Sequence, residues 1–131
     1  MGHYELWKNF AGSIGADRIG ANLPSVKQLV STTESHYTTY AGALGALYAF
    51  EAQQPATASS KLDGLRKHYS EWKADETYFK LHENDLAEPA MLEEKIKLLK
   101  ESDKAIAQSA CASTCKSLWD ALSGIMEAQV N

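Results

Sequence analysis

The chain has 131 residues, 44% of them hydrophobic and 23% charged, with a formal net charge of −4 and a sequence pI near 5.5. That length fits one domain able to bury a core of its own. The acidic balance argues against nucleic acid or an anionic membrane as the main partner, since both call for a basic face. No apolar run approaches a membrane span and no basic-then-apolar segment opens the chain, so it reads as cytoplasmic. The two cysteines, Cys111 and Cys115, are spaced i and i+4. A disulfide is out of place in a cytosolic protein, and a thiolate metal site needs further ligands that the neighbouring sequence lacks. The plainer reading, two small core residues, is preferred.

Strand-like alternation is absent, and the periodicity is helical from end to end. The first segment, His3 to Gly15, repeats Tyr4, Trp7, Phe10, Ala11 and Ile14 at intervals of 3 and 4, which predicts one buried helix face. Gly12 and Gly15 weaken its end, and Gly20 to Leu23 reads as a loop. Pro24 suits the first turn of a second helix running to about Tyr37, with Val26, Leu29 and Val30 as its stripe. A third helix, Thr39 to Gln53, carries Ala41, Leu44, Leu47, Tyr48 and Glu51 on one face, while Gly42 and Gly45 permit close helix approach. This helix is expected to be central.

Pro55 marks a break or kink before a fourth helix, Ala56 to Tyr69, with Leu62, Leu65 and Tyr69 on its face. Asp75 is a good N-cap for a fifth segment holding Tyr78, Phe79, Leu81 and His82, which Pro89 should end unless it starts another helix. The last segment, Ala90 to Gln129, repeats Leu92, Ile96 and Leu99, then Cys111, Cys115, Leu118, Leu122 and Ile125. Glu101-Ser102-Asp103 is a candidate turn between the two repeats, with Ser102 or Asp103 as a cap. The Lys95 to Lys104 charge run reads as a solvated helix face. Together these segments predict an all-α bundle of about six or seven amphipathic helices.

Few residues stand out chemically. Glu51 falls one turn after Leu47 and Tyr48, on the face that should be buried. A buried carboxylate needs a cation, a metal or a proton; the other reading is a glutamate at the edge of the stripe that reaches water. His82 sits among acids, and Asp85 at i+3 would allow one metal to be gripped from a single helix face. The plainer reading, a partly exposed histidine on an acidic helix, is preferred from the residues alone. His3 opens a helix, where a histidine is ordinarily solvated, and Lys61 reads as a surface lysine. His36 and His68 belong to no constellation. No phosphate loop, CxxC motif or nucleophile elbow occurs.

Three blocks nevertheless resemble a known family. HYELWKNFAGSIG (His3 to Gly15) resembles the H-x-x-L-W-x-x-F-A-x-x-L-G helix of heme-oxygenase-like di-iron proteins. GALYAFEAQQPATASSKLDGLRKHY (Gly45 to Tyr69) resembles their A-L-Y-A-Y-E-S-Q-x-P block, and TYFKLHENDLAE (Thr77 to Glu88) their Y-F-x-x-H helix. The nearest likeness is to the CADD-like proteins, then to the pyrroloquinoline-quinone synthase (PqqC) and thiaminase II (TenA) families.

The resemblance implies a heme-oxygenase-like helical bundle, with this chain corresponding to the C-terminal part of the family domain. The family's N-terminal helices, and the metal-binding glutamate shortly before His3, would then be missing. It implies metal ligands at His3, Glu51 and His82, with Lys61 near the metal pocket and Glu51 facing His82 in the bundle interior. The family's last ligand helix reads H-x-x-x-D-x-x-H, but here the i+4 and i+7 positions are Leu86 and Pro89. Asp85 and Glu88 are possible substitutes off the family positions.

A di-iron oxidase needs about six nitrogen and oxygen ligands. The expectation is therefore a truncated or degenerate family member with no complete two-metal site, holding at most one iron or manganese ion. The alternative is an iron- or manganese-dependent redox enzyme acting with oxygen on a small organic substrate. A homodimer is expected because absent helices would bare an apolar face. A small-molecule ligand in a helical pocket is a further possible partner.

Overall fold

The computed structural model of the protein describes residues 2–16 and 22–130. The segment Gly20 to Leu23, expected as a loop, falls partly outside the described residues. Seven α-helices are described: α1 (His3–Ser13), α2 (Pro24–His36), α3 (Tyr40–Glu51), α4 (Gln54–His68), α5 (Thr77–His82), α6 (Ala87–Lys97) and α7 (Glu101–Val130). A single 3-10 turn, Ser70–Trp72, follows α4. No strand occurs among the described residues, so the all-α expectation holds.

The chain forms two compact units, Met1–Ile19 with Gln53–Leu86 and Gly20–Ala52 with Ala87–Asn131. The first contains α1, α4 and α5. Gly15, at φ 72°, ends α1: its N–H reaches the Gly12 carbonyl and the Ala16 N–H reaches the Ala11 carbonyl. A left-handed residue at this point is cheapest as glycine, and the paired bonds satisfy carbonyls the helix leaves open. The expected break falls at residues 52–53, just before Pro55. The proline itself sits in the first turn of α4, where a missing N–H costs nothing. Asp75 is not the residue flanking α5, which is Glu76, yet its carboxylate accepts the Thr77 N–H at 3.0 Å and does a cap's job. The Asp75 N–H in turn donates to Ser13 Oγ at 2.8 Å, fastening this segment to the end of α1.

The core of this unit is Ala58, Leu62 and Phe79, with Phe10, Leu65 and Tyr78 packed against it. Rings do most of the joining. Phe10 meets Phe79 edge-on at 4.9 Å, and Trp7 meets Tyr78 at 5.1 Å. The face expected on α1 is only partly buried: Tyr4 and Trp7 stay exposed, and Leu6 is the buried residue. α1 packs mainly on α5 within its unit, so the edges of its large rings remain wet.

The second unit contains α2, α3, α6 and α7, and α3 meets all three of the others. Thr39 caps α3 by accepting the Gly42 N–H at 3.0 Å. Gly45 lies directly against the backbone of Ala107, where a Cβ would overlap the Ala107 carbonyl. This contact decides which face of α7 goes inside. The sequence stripe of Cys111, Cys115, Leu118, Leu122 and Ile125 is not the buried one: Cys115, Leu122 and Ile125 are exposed and Cys111 is half-buried. The buried stripe is Ala107, Ala110, Thr114 and Ala121. Helices brought this close have room only for small side chains at the crossing, and the larger ones turn outward. The reading of both cysteines as core residues is corrected accordingly.

The expected turn at Glu101-Ser102-Asp103 lies slightly earlier, between Lys97 and Glu101. There the Lys100 carbonyl accepts the N–H groups of Asp103 and Lys104. The charge run is solvated as expected: Lys97 pairs with Glu93 and Glu94, and Lys104 with Glu101.

Candidate metal centre

In the first unit, α1 and α5 bring two imidazoles together. The His3 and His82 rings are 4.7 Å apart, edge to face. His3 is exposed, whereas His82 is only 3% exposed, which overturns its reading as a partly exposed surface histidine. Tyr78, one turn before His82, stacks on its ring at 4.3 Å and 29°. His82 Nδ1 lies 2.6 Å from the Tyr78 carbonyl oxygen. A carbonyl can only accept, so Nδ1 carries the hydrogen and donates it. In the neutral ring this leaves the Nε2 lone pair for another partner. A ligating histidine typically shows the same arrangement, with one nitrogen tied to a carbonyl and the other offered to the metal. Tyr78 is itself held, its hydroxyl accepting from Gln54 Nε2 at 2.9 Å.

His82 does not open a ligand helix here; it closes α5. Asp85 lies beyond, in a turn where its N–H meets the His82 carbonyl at 3.2 Å. Asp85 therefore does not share a helix face with His82, contrary to the i+3 expectation. The reason is Pro89. A helix continued through it would clash with the carbonyl of Asp85 and lose a hydrogen bond. The chain instead restarts as α6 at Ala87, which puts Pro89 in a first turn. Leu86, at the family's aspartate position, is 69% exposed. Lys61 is exposed on α4.

In the second unit, Glu51 ends α3 and Glu88 lies in the first turn of α6. Both are half-buried, and they bring carboxylate oxygens within 4.8 Å of one another. Carboxylates this close are stabilised by a shared cation or proton. Glu88 also gains from the α6 N-terminus, where unpaired N–H groups favour negative charge. The edge-of-stripe reading of Glu51 and the ligand reading both fit half-burial, but its carboxylate neighbour was visible in sequence only as a possible substitute. Its one signal was an acid immediately before Pro89, the mark of a helix first turn. The roles of Tyr78 and Gln54 in holding His82 have no signal in the sequence beyond the tyrosine of the Y-F-x-x-H motif.

The first unit thus offers two imidazoles, and the second, taken by itself, two carboxylates. Nitrogen and oxygen donors of this kind suit iron, manganese or zinc, and the tautomer set by Tyr78 fits ligation through His82 Nε2.

The sequence model of a family described as iron-containing redox enzymes matches residues 1–114. A 4-aminobenzoate synthase of Nitrosomonas europaea is 35% identical over 95% of this chain and 55% of its own length. A 4-aminobenzoate synthase of Chlamydia muridarum is 29% identical over 95% of this chain and 56% of its own length. The chain thus spans about half the length of the curated relatives it matches. No solved structure matches it significantly.

Proposed function

Because this chain belongs to the iron-containing redox enzyme family, we propose that it is a member with an incomplete two-metal ligand set. It binds at most one iron or manganese ion, through His3, Glu51 and His82, with Glu88 as a further carboxylate donor. The observation that carries this reading is the hydrogen bond from His82 Nδ1 to the Tyr78 carbonyl, which frees Nε2 for a metal. When bound, such an ion would supply one-electron chemistry with oxygen. The chain's own part is to orient and to exclude water. Tyr78 clamps the His82 ring from its face, Gln54 fixes Tyr78, and Phe79 seals the base of α5 against Phe10. Leu86 and Pro89 offer no donor atoms, so the family positions that would complete a second metal's coordination are lost.

The second reading is a working redox enzyme, dependent on iron or manganese, that acts on a small organic substrate. The 4-aminobenzoate synthases among its relatives would make an aminobenzoate the product to seek. It draws support from the long Gly45 to Tyr69 block, which includes Glu51 and Lys61.

Metal analysis of protein purified without chelators or a histidine tag separates these readings. The first expects no more than one ion per chain, lost in Glu51→Ala, and no turnover with oxygen and a reductant. Two irons per chain would overturn it and bring in Asp85 and Glu88 as ligands. A metal that survives Glu51→Ala would refute the ligand assignment itself. Formation of 4-aminobenzoate would establish the second reading.

The same proposal extends to assembly and place. Trp119, Leu122 and Met126 form an exposed apolar stripe on α7, with Trp119 at 73% exposure, which supports a homodimer. A clean monomer in sedimentation at high micromolar concentration would count against that. No helix among the described residues is long and apolar enough to cross a membrane. A cytoplasmic location, with no nucleic-acid or membrane partner, fits the acidic charge.

A further inference from the structure

The metal reading leaves both cysteines unused. They lie one turn apart on α7, Cys115 exposed and Cys111 half-buried. Cys111 also lines a cavity of about 400 Å³ in the second unit, with Tyr48, Ile96, Ala107 and Ala112 as its apolar walls and Glu93, Lys104 and Gln108 as its polar ones. We propose that Cys111 and Cys115 form a chelating dithiol for a trivalent organoarsenic species, whose apolar substituent occupies this adjoining cavity.

Geometry selects chelation over a disulfide. Residues four apart on a helix hold their Cβ atoms about 5–6 Å apart. A disulfide needs about 3.8 Å between Cβ atoms and an S–S bond near 2.0 Å, so α7 would have to unwind. A bridging atom removes that demand, because two bonds of about 2.3 Å to a central ion let the sulfurs stay well separated. Thiols are soft donors and select soft, thiophilic centres.

The cavity then specifies the rest of the ligand. A volume of about 150 Å³ already accepts benzene, so one phenyl-sized substituent fits in this larger, solvent-open cavity. Cys111, in the wall, and Cys115, one turn on and open to solvent, give such a ligand an anchor and an entrance. Burial, with Cys115 beside it, pushes the Cys111 thiol up, so it is protonated at neutral pH. This does not block the reaction, a condensation in which each thiol proton leaves on water. With the hydrated form that an arsine oxide takes in water, R–As(OH)2, two S–H and two As–O bonds break, two As–S and two O–H bonds form, and two waters depart. Arsenic stays trivalent throughout.

The test uses phenylarsine oxide on the full chain, read by native mass spectrometry and by alkylation with N-ethylmaleimide. One adduct per chain is expected, resistant to excess monothiol, stripped by 2,3-dimercaptopropanol, and shielding both cysteines from alkylation. Cys115→Ser alters an exposed position, and circular dichroism will show its helicity intact. Losing the second sulfur should weaken binding about 100-fold, the usual penalty for removing one arm of a two-point attachment. Inorganic arsenite, which lacks the ring, should bind about tenfold more weakly or worse. Alkylation of both cysteines with one equivalent present, or monothiol-resistant binding by Cys115→Ser, would overturn the chelate. Equal affinity for arsenite would overturn the role of the cavity.

Discussion

Between α1 and α5, packing depends on rings: Trp7, Phe10, Tyr78 and Phe79 meet at tilted or perpendicular angles with centroids 4.9–6.1 Å apart. Between α3 and α7 the closest approach is made by small residues. Gly45 touches the Ala107 backbone, and the buried residues around it are alanines with Leu44 and Thr114. Large aromatic side chains let a helix of only six residues, α5, gain enough contact to stay folded. Small side chains allow two longer helices to approach closely over many turns, so that backbone and Cβ atoms supply the contact. The first device concentrates stability in a few residues, and the second spreads it along a face.

That contrast predicts how each unit fails. Phe79→Ala should be the most damaging single change, costing about 3–5 kcal/mol in chemical denaturation because it empties the ring cluster. Hydrogen exchange should register the loss in α4 and α5; uniform loss of protection along α7 instead would break the distinction.

Gly45→Ala should come next, at about 1–3 kcal/mol, since overlap with the Ala107 carbonyl outweighs the gain in helix propensity. A neutral or stabilising result would show that α3 and α7 can separate at little cost. Thr39→Ala removes the α3 cap and should cost about 1 kcal/mol, with exchange faster in the first turn of α3.

The smallest effect belongs to Glu76, which joins Arg66 at 2.8 Å and Lys80 at 3.0 Å. Hydrogen bonds from these two cations lower its pKa from the ordinary 4.5 to about 2. Its contribution is therefore fully present above about pH 4.5 and fades as pH falls toward 2. Arg66 and Lys80 are more than half exposed, at 53% and 56%, so solvent screening keeps the stabilisation small. Arg66→Ala should flatten the acid limb of the stability curve slightly. An unchanged limb would mean that the ion pair adds nothing.

Helix content was legible because it depends on local signals. Pro24, Thr39 and Gly15 act within a turn of their own position, and the 3–4 spacing of apolar residues survives any tertiary arrangement. Proline was harder to read. Pro55 read as a break or kink, Pro89 as an end or a start of a helix, and the structure uses both as first-turn residues. The site was legible in part. Motifs pointed to His3, Glu51 and His82, but the carbonyl of Tyr78 is a backbone group with no sequence signature, and Glu88 stood off the family pattern.

The sequence by itself determined the all-α class, most helix boundaries to within a residue or two, and the family. All of these depend on short-range periodicity or on contiguous motifs. Only the tertiary structure decided that α7 buries its alanines and exposes Trp119, Leu122 and Cys115. It alone also set Glu88 beside Glu51. A helix offers several faces of similar hydrophobicity, and the choice among them is made by whatever packs against it. Here that is Gly45, whose missing side chain draws α3 so close that only alanine fits opposite.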